Sequence, residues 1–506
     1  VLSKKALSIG LILAGMVLIW LAVHSRPTAK LPEDVDTFPG ASVVLVTLDT
    51  TRADRFGCYG SSAGMTPFID SLAERGIVFH NADSAAPITL PSHTSILTGL
   101  LPTSHGVRNN GMFTLPEDVE TLAEVFSNAG YATGAFVSAQ VLDKRYGLGK
   151  GFDIYDDDLT MARQVGLSTV PSRRGNLTLE SALTWLRSVE GDRPFFMWLH
   201  LYDPHSPYDP PPEYRARFPE DLYGGEIAFA DDLVRQLTGE LDASGRLSNT
   251  LLTVVADHGE ALGEHGEQTH GMLLHQATLH VPWVLLPPGG RAKPLRVTQP
   301  VSTVDLAPLV TAMVELKAPN ADRSDGTVIF GIGEDREIYS EAMLPMYQYG
   351  WAPLRGLRIG GWQLVSGVRQ ELFNLQQDPR ELTDLAQSEP MQLDFMSSRA
   401  HDIQANDTTL KMDAATQMSL SEREALEALG YLATTAATRR NPPDPRDLVR
   451  GHVFVETSRS LMAAGRFTEA LENLDQMLES DPENLAALDL KAQWFTVMGD
   501  LDQAEA

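Results

Sequence analysis

Four near-continuous apolar runs stand out along the chain: SVVLVTL (42–48), PFFMWLHL (194–201), TLLTVVA (250–256) and VPWVLLP (281–287). Runs of this length without polar alternation are what strands look like when both faces of their sheet are covered. Between them, residues 118–130, 177–189 and 227–241 carry apolar positions at helical spacing. Strands alternating with helices predict an α/β sandwich around a mostly parallel sheet. In such a fold ligands bind beyond the carboxyl ends of the strands. The residues there are Asp49 after the first run, Asp203 and His205 after the second, and Asp257 and His258 after the third. An Asp after a strand is often only a turn former or helix cap. Three strands ending in Asp, two with a nearby His, instead suggest carboxylate and imidazole converging on a divalent cation.

The N-terminal stretch is different. Lys4 and Lys5 precede an uncharged apolar run, Ala6 to Val23. It is close to the length of a membrane span, and the lysines favour a cytoplasmic N-terminus. Segment 1–30 therefore reads as a membrane anchor, with a cleaved signal as its rival and the bulk of the chain in the periplasm or outside the cell. The 506 residues leave room for more than one domain. With 40 basic against 67 acidic residues, the formal charge of −27 argues against a nucleic-acid partner. Cys58 is the only cysteine, so no internal disulfide holds the fold.

Four motifs, in order, resemble the sulfatase and alkaline phosphatase superfamily: VTLDTTRADRFGCYG (46–60), TLPSHTSILTG (89–99), VVADHGEALGEHGEQTHG (254–271) and GWQLVSGVRQELFNLQQDPRELTDLA (361–386). The resemblance covers roughly 41–387 and implies an alkaline-phosphatase-like sandwich followed by a small C-terminal sheet. It also implies a metal-dependent ester hydrolase in which Asp49, Asp257 and His258 hold the ion. Thr89, two residues before Pro91 at a helix start, takes the nucleophile's place and also contributes to the metal site. Zinc is the first expectation for the ion, with calcium or manganese as alternatives and one or two ions per chain.

The departures from the family pattern bear on the substrate. Sulfatases carry Cys or Ser at the Thr89 position and oxidise it to formylglycine; oxidation of Thr89 would give a ketone. The following Arg of that motif is His93 here, and the Lys of HGxxxKG is His270. A site that has lost two cations needs positive charge from elsewhere, so a second ion held by His270 and Asp203 is expected, with His205 either a further ligand or a substrate contact, and phosphate mono- or diesters as substrates. His205 and His270 are also catalytic candidates, and His93, Arg52 and His205 candidate substrate contacts. Sulfate ester hydrolysis, transfer of a phospho-headgroup and a non-catalytic scaffold are the alternatives. The substrate would be a small-molecule, glycan or lipid ester. His275 and His280 read as structural, and Asn109 and Asn110 as turn formers.

The catalytic domain is expected over 40–390, with a helical, Pro-rich linker over 391–447. From 448 to 506 the chain resembles tetratricopeptide repeats: Gly465 and Gly499, Phe467 and Leu501, and Ala470 and Ala504 recur at a spacing of 34. That implies a protein partner, and the chain reads as stopping within a repeat.

Overall fold

The computed structural model describes residues 35–160, 171–291, 293–330, 333, 335–405, 407, 439–499 and 504. The expected anchor lies outside them. No helix among the described residues is long and apolar enough to cross a membrane.

In chain order the strands are β1 (Ser42–Leu48), β2 (Ile77–Phe79), β3 (Ala82–Asp83), β4 (Ala132–Phe136), β5 (Ile154–Asp156), β6 (Phe195–Leu201), β7 (Thr250–Ala256), β8 (Trp283–Leu286), β9 (Leu295–Val297), β10 (Val301–Ser302), β11 (Glu337–Ala342), β12 (Leu354–Ile359), β13 (Trp362–Ser366) and β14 (Gln370–Asn374). Eight form the central sheet in the order β5-β4-β6-β1-β7-β8-β2-β9. Its pairs are parallel except those β8 makes with β7 and β2. β1, β6 and β7 are buried along their whole lengths, as their unbroken apolar runs require. β11 to β14 form the small antiparallel sheet.

Helix boundaries follow side-chain capping. The element expected over 118–130 is the Leu122–Asn128 helix, because Thr121 and Glu124 close a reciprocal capping box that starts it late. The one expected over 227–241 begins earlier, as Leu222–Ala243, because the Asp221 side chain accepts from the Gly224 amide.

Part of the expected linker belongs to the small sheet. The Pro390–Ala405 helix lays Met396 and Ala400 against Leu357, Ile359, Leu364 and Leu372 of the sheet. Nor is the Pro-rich stretch a free hinge. The Ala352 amide bonds the Pro443 carbonyl, and Asp444 caps the Pro445–Ala463 helix. That helix and the next two, Phe467–Ser480 and Leu485–Met498, pack onto the rest of the fold: Val449, Leu474, Met477 and Leu490 share one apolar cluster with Tyr349, Trp351 and Leu273. The indole of Trp351 donates to Asp481 at 2.7 Å, and Arg439 pairs with the same carboxylate. Gly465 and Gly499 follow the ends of the Pro445–Ala463 and Leu485–Met498 helices with φ near +75°, a conformation in which a Cβ is costly.

Candidate active site

β6, β1 and β7 are neighbours and parallel, so their carboxyl ends open onto one edge of the sheet. The ladder runs one residue past each strand: the Asp49 amide bonds the Leu201 carbonyl, and the Asp257 amide bonds that of Leu48. This sets the two carboxylates side by side. Thr50, the next residue, has φ 49°, an uncommon conformation for a β-branched residue. Its hydroxyl bonds the Pro204 carbonyl and its own carbonyl accepts from Tyr223.

Asp257 Oδ1 accepts from the Thr50 and His258 amides. Asp49 Oδ2 lies 3.1 Å from His200 Nε2. Because the Ser138 amide donates to His200 Nδ1, the ring's proton sits on Nε2 and points at Asp49. Burial holds the His200 pKa down at about 3, so it acts as a neutral donor. Asp49 Oδ1 and Asp257 Oδ2 are buried without a hydrogen-bond partner. His258 places Nδ1 3.0 Å from the Gly259 carbonyl, which assigns the proton to Nδ1 and leaves the Nε2 lone pair free. Ligating atoms of Asp49, Asp257 and His258 lie within 4.8 Å of one another.

Two orphan carboxylate oxygens and a bare imidazole nitrogen, fully buried together, fit a divalent ion. Burial raises the pKa of both acids, with Glu260 adding to the effect on Asp49 and Asp49 to that on Asp257. A divalent ion there would offset their charge and lower the pKa of a nearby hydroxyl.

That hydroxyl is Thr89. It opens the Thr89–Thr98 helix, whose N-cap is Ile88 and has no side-chain cap. Thr89 therefore does not cap the helix. Its Oγ1 is 3.5 Å from His258 Nε2 and faces Asp49. Of the helix's first amides, Leu90's is taken by Asn110 Oδ1, Pro91 has none, and Ser92's goes to the Ile88 carbonyl. These three are not available to cradle an anion. Ser92 Oγ bonds the Asp257 carbonyl, tying the helix to β7.

The expected substrate contact His93 has a different place. It is fully buried, with Nδ1 2.8 Å from the Thr89 carbonyl and Nε2 3.0 Å from Thr47 Oγ1, which in turn accepts from Trp198. Both nitrogens brace the Thr89 turn against β1 and β6, and neither is left for substrate. Arg52 is likewise engaged, by Asp54, Glu264 and the Glu260 carbonyl. Asp203, an expected ligand, accepts from the Gly175 amide at the start of the Gly175–Ser188 helix and lies outside the Asp49 group. His270 and His205 do come to the site. The His270 ring centroid is 4.5 Å from that of His258 and 5.0 Å from that of His205, and its Nδ1 is 3.1 Å from Glu260. Without Asp203, the expected second ligand set is not assembled among the described residues.

Glu260, His200 and Asn110 are site residues that sequence reasoning passed over. Burial pushes Glu260 up to about 8, and Tyr208 donates to its Oε2. Its one signal was position, three residues after Asp257. For His200 it was an imidazole inside the apolar run FFMWLHL. Asn110 looked like any turn residue.

The sulfatase family model matches residues 41–315, and a tetratricopeptide repeat model matches 461–506. The uncharacterized sulfatase YidJ of Escherichia coli K12 is 23% identical over 417 residues, covering 68% of this chain and 82% of that one. Among solved structures, Ps i-CgsB in complex with k-i-k-neocarrahexaose superposes with a TM-score of 0.62 at 20% identity, covering 76% and 97% of the two chains. The phosphonate monoester hydrolase of Agrobacterium radiobacter superposes at 0.59 with 18% identity, covering 72% and 95%. With its family model spanning more than half its length, and with this sheet and strand-end site, the chain belongs to the sulfatase family of ester hydrolases and carries a C-terminal tetratricopeptide repeat.

Proposed function

We propose that this chain cleaves singly charged phosphate esters, of the phosphodiester class, with Thr89 as nucleophile and one divalent ion at Asp49, Asp257 and His258. The observation that carries this reading is a buried, non-capping hydroxyl beside two orphan carboxylate oxygens and an imidazole nitrogen, His258 Nε2, that meets the hydroxyl at 3.5 Å.

Charge selects the class of ester. Arg52 is compensated by Asp54 and Glu264, and Arg108 by Glu341 and Asp407. Burial keeps His93, His200, His258 and His270 neutral. Two carboxylates offset a divalent ion, so a doubly charged monoester would find no counter-charge, whereas a monoanion is tolerated. Thr89 Oγ forms the new P–O bond as the ester oxygen leaves. With an ion bound, the Thr89 hydroxyl proton would pass to solvent, and the leaving oxygen would take a proton from water at the edge of the site, beside His205 and His270. Water then attacks phosphorus and frees Thr89; an acceptor alcohol in its place gives headgroup transfer. The repeat would dock a protein partner.

Sulfate esters are the second reading, favoured by relatives such as YidJ and the ulvan-active sulfatase of Formosa agariphila. Matched aryl substrates decide: a phosphodiester, a phosphonate monoester, a phosphate monoester and a sulfate ester, assayed on ion-loaded protein. The phosphodiester or phosphonate monoester should exceed the sulfate by about tenfold or more in kcat/KM, on the order of 1.4 kcal/mol of transition-state binding. A preference for sulfate would overturn the proposal and leave the family assignment standing.

A further inference from the structure

Seven residues beyond His258 on the same loop, His265 stacks on His275, ring centroids 3.6 Å apart and planes within 11°. Glu381, from the segment after β14, closes the group: its Oε2 is 3.5 Å from His275 Nδ1. Ligating atoms of the three residues lie within 4.8 Å of one another. His275 is 5% and Glu381 3% exposed, yet His275 Nδ1 and Glu381 Oε1 have no hydrogen-bond partner. His265 and Glu381 both take left-handed backbone conformations, φ 52° and 55°, uncommon outside glycine.

From this geometry we infer a second, structural metal site, formed by His265, His275 and Glu381 and taking a zinc-type divalent ion. Two imidazoles and a carboxylate are a donor set suited to zinc, with the fourth position left to water. Bonds of about 2.0–2.1 Å place tetrahedral ligand atoms roughly 3.4 Å apart. The His275 and Glu381 atoms already stand at 3.5 Å. His265 Nε2 lies 3.1 Å from the Arg380 carbonyl, which leaves Nδ1 as its donor; to face the ion the ring would have to turn out of the stack on His275. A simple His275–Glu381 ion pair explains less, because it leaves Glu381 Oε1 bare. The Gln276 amide holds Oε2 at 2.6 Å and so orients the carboxylate.

The three ligands come from the loop bearing Asp257, His258 and His270, from the turn entering the Gln276–Leu279 helix, and from the C-terminal lobe. An ion here clips the catalytic loop to that lobe. It would hold in place a loop whose other side rests against the Pro445–Ala463 helix, where Gly266 approaches Arg450 and Val449.

The test removes the active-site ion first. Full-length protein carrying Asp49→Asn and Asp257→Asn is stripped with chelator, loaded with zinc and dialysed. It should retain about one zinc per chain, bind cobalt(II) with the visible absorption of a four-coordinate site, and melt a few degrees higher with zinc than without. Adding His275→Ala or Glu381→Gln should abolish all three effects. Glu381→Gln keeps an oxygen for the Gln276 amide and so preserves the local fold, which circular dichroism would verify. If the parent variant retains no zinc, or keeps it undiminished with His275→Ala and with Glu381→Gln, the site does not exist.

Discussion

Replacing Thr89 with Val removes the hydroxyl and almost nothing else, because the two side chains have nearly the same shape. Thr89 is 1% exposed, makes no capping bond, and its Oγ1 has only the long 3.5 Å approach to His258 Nε2 and the neighbouring Asp49. The stability cost should therefore be about 1 kcal/mol or less, a shift of at most a few degrees in melting temperature. Activity has a much larger scale. With the nucleophile gone, only binding and electrostatics remain, and kcat should fall by about four to six orders of magnitude, roughly 5.5–8 kcal/mol. Thr89→Ser keeps a hydroxyl and loses a methyl, so it should stay within about a hundredfold of the parent. The assay is steady-state hydrolysis of an aryl phosphodiester, with melting temperature and metal content measured on the same samples. Mass spectrometry of a quenched reaction should place the covalent adduct on Thr89. If Thr89→Val holds its ion and keeps more than about a tenth of parental kcat, the nucleophile assignment is wrong.

His200→Phe removes the donor to Asp49 Oδ2 while keeping a ring in the core; affinity for the active-site ion, followed by competition with a chelator, should drop by about 10–100-fold. An unchanged affinity would show that His200 does not orient Asp49. Asp231 supplies a pH test distant from the ion. Burial raises its pKa to about 6 although the Phe68 and Ile69 amides donate to it. The folded state thus binds this proton more tightly than the unfolded chain, and stability falls as pH rises from about 4 to about 6. A rise from the ordinary aspartate value to about 6 corresponds to about 3 kcal/mol. Denaturant melts across that range should show Asp231→Asn flattening this slope; an equal slope in both proteins would refute the assignment.

Asp49, Asp257 and His258 were legible because each follows an apolar run, and a residue just past a parallel strand has little choice of where to go. Asp203 carries the same local signature, yet its carboxylate caps the Gly175–Ser188 helix. Nothing within LYDPHSPY separates those outcomes, because the competing amide arrives from 28 residues earlier. His93 looked like a substituted substrate contact until pairing of β1 with β6 set Thr47 and Trp198 beside it. His200 reaches Asp49 across 151 residues of sequence only because β6 and β1 are neighbours in register. Residues 391–447 read as linker because the stretch runs into a Pro-rich segment, and the role of the Pro390–Ala405 helix appears only once β12 and β13 present a face for Met396. Local pattern determined which segments became strands and helices, since propensity, capping and burial periodicity act over a few residues. Tertiary structure decided which polar groups meet, because buried donors and acceptors must find partners wherever the packed elements place them. That is why the strand-end acids could be named from the chain alone, while the braces around Thr89 and the His265–His275–Glu381 group could not.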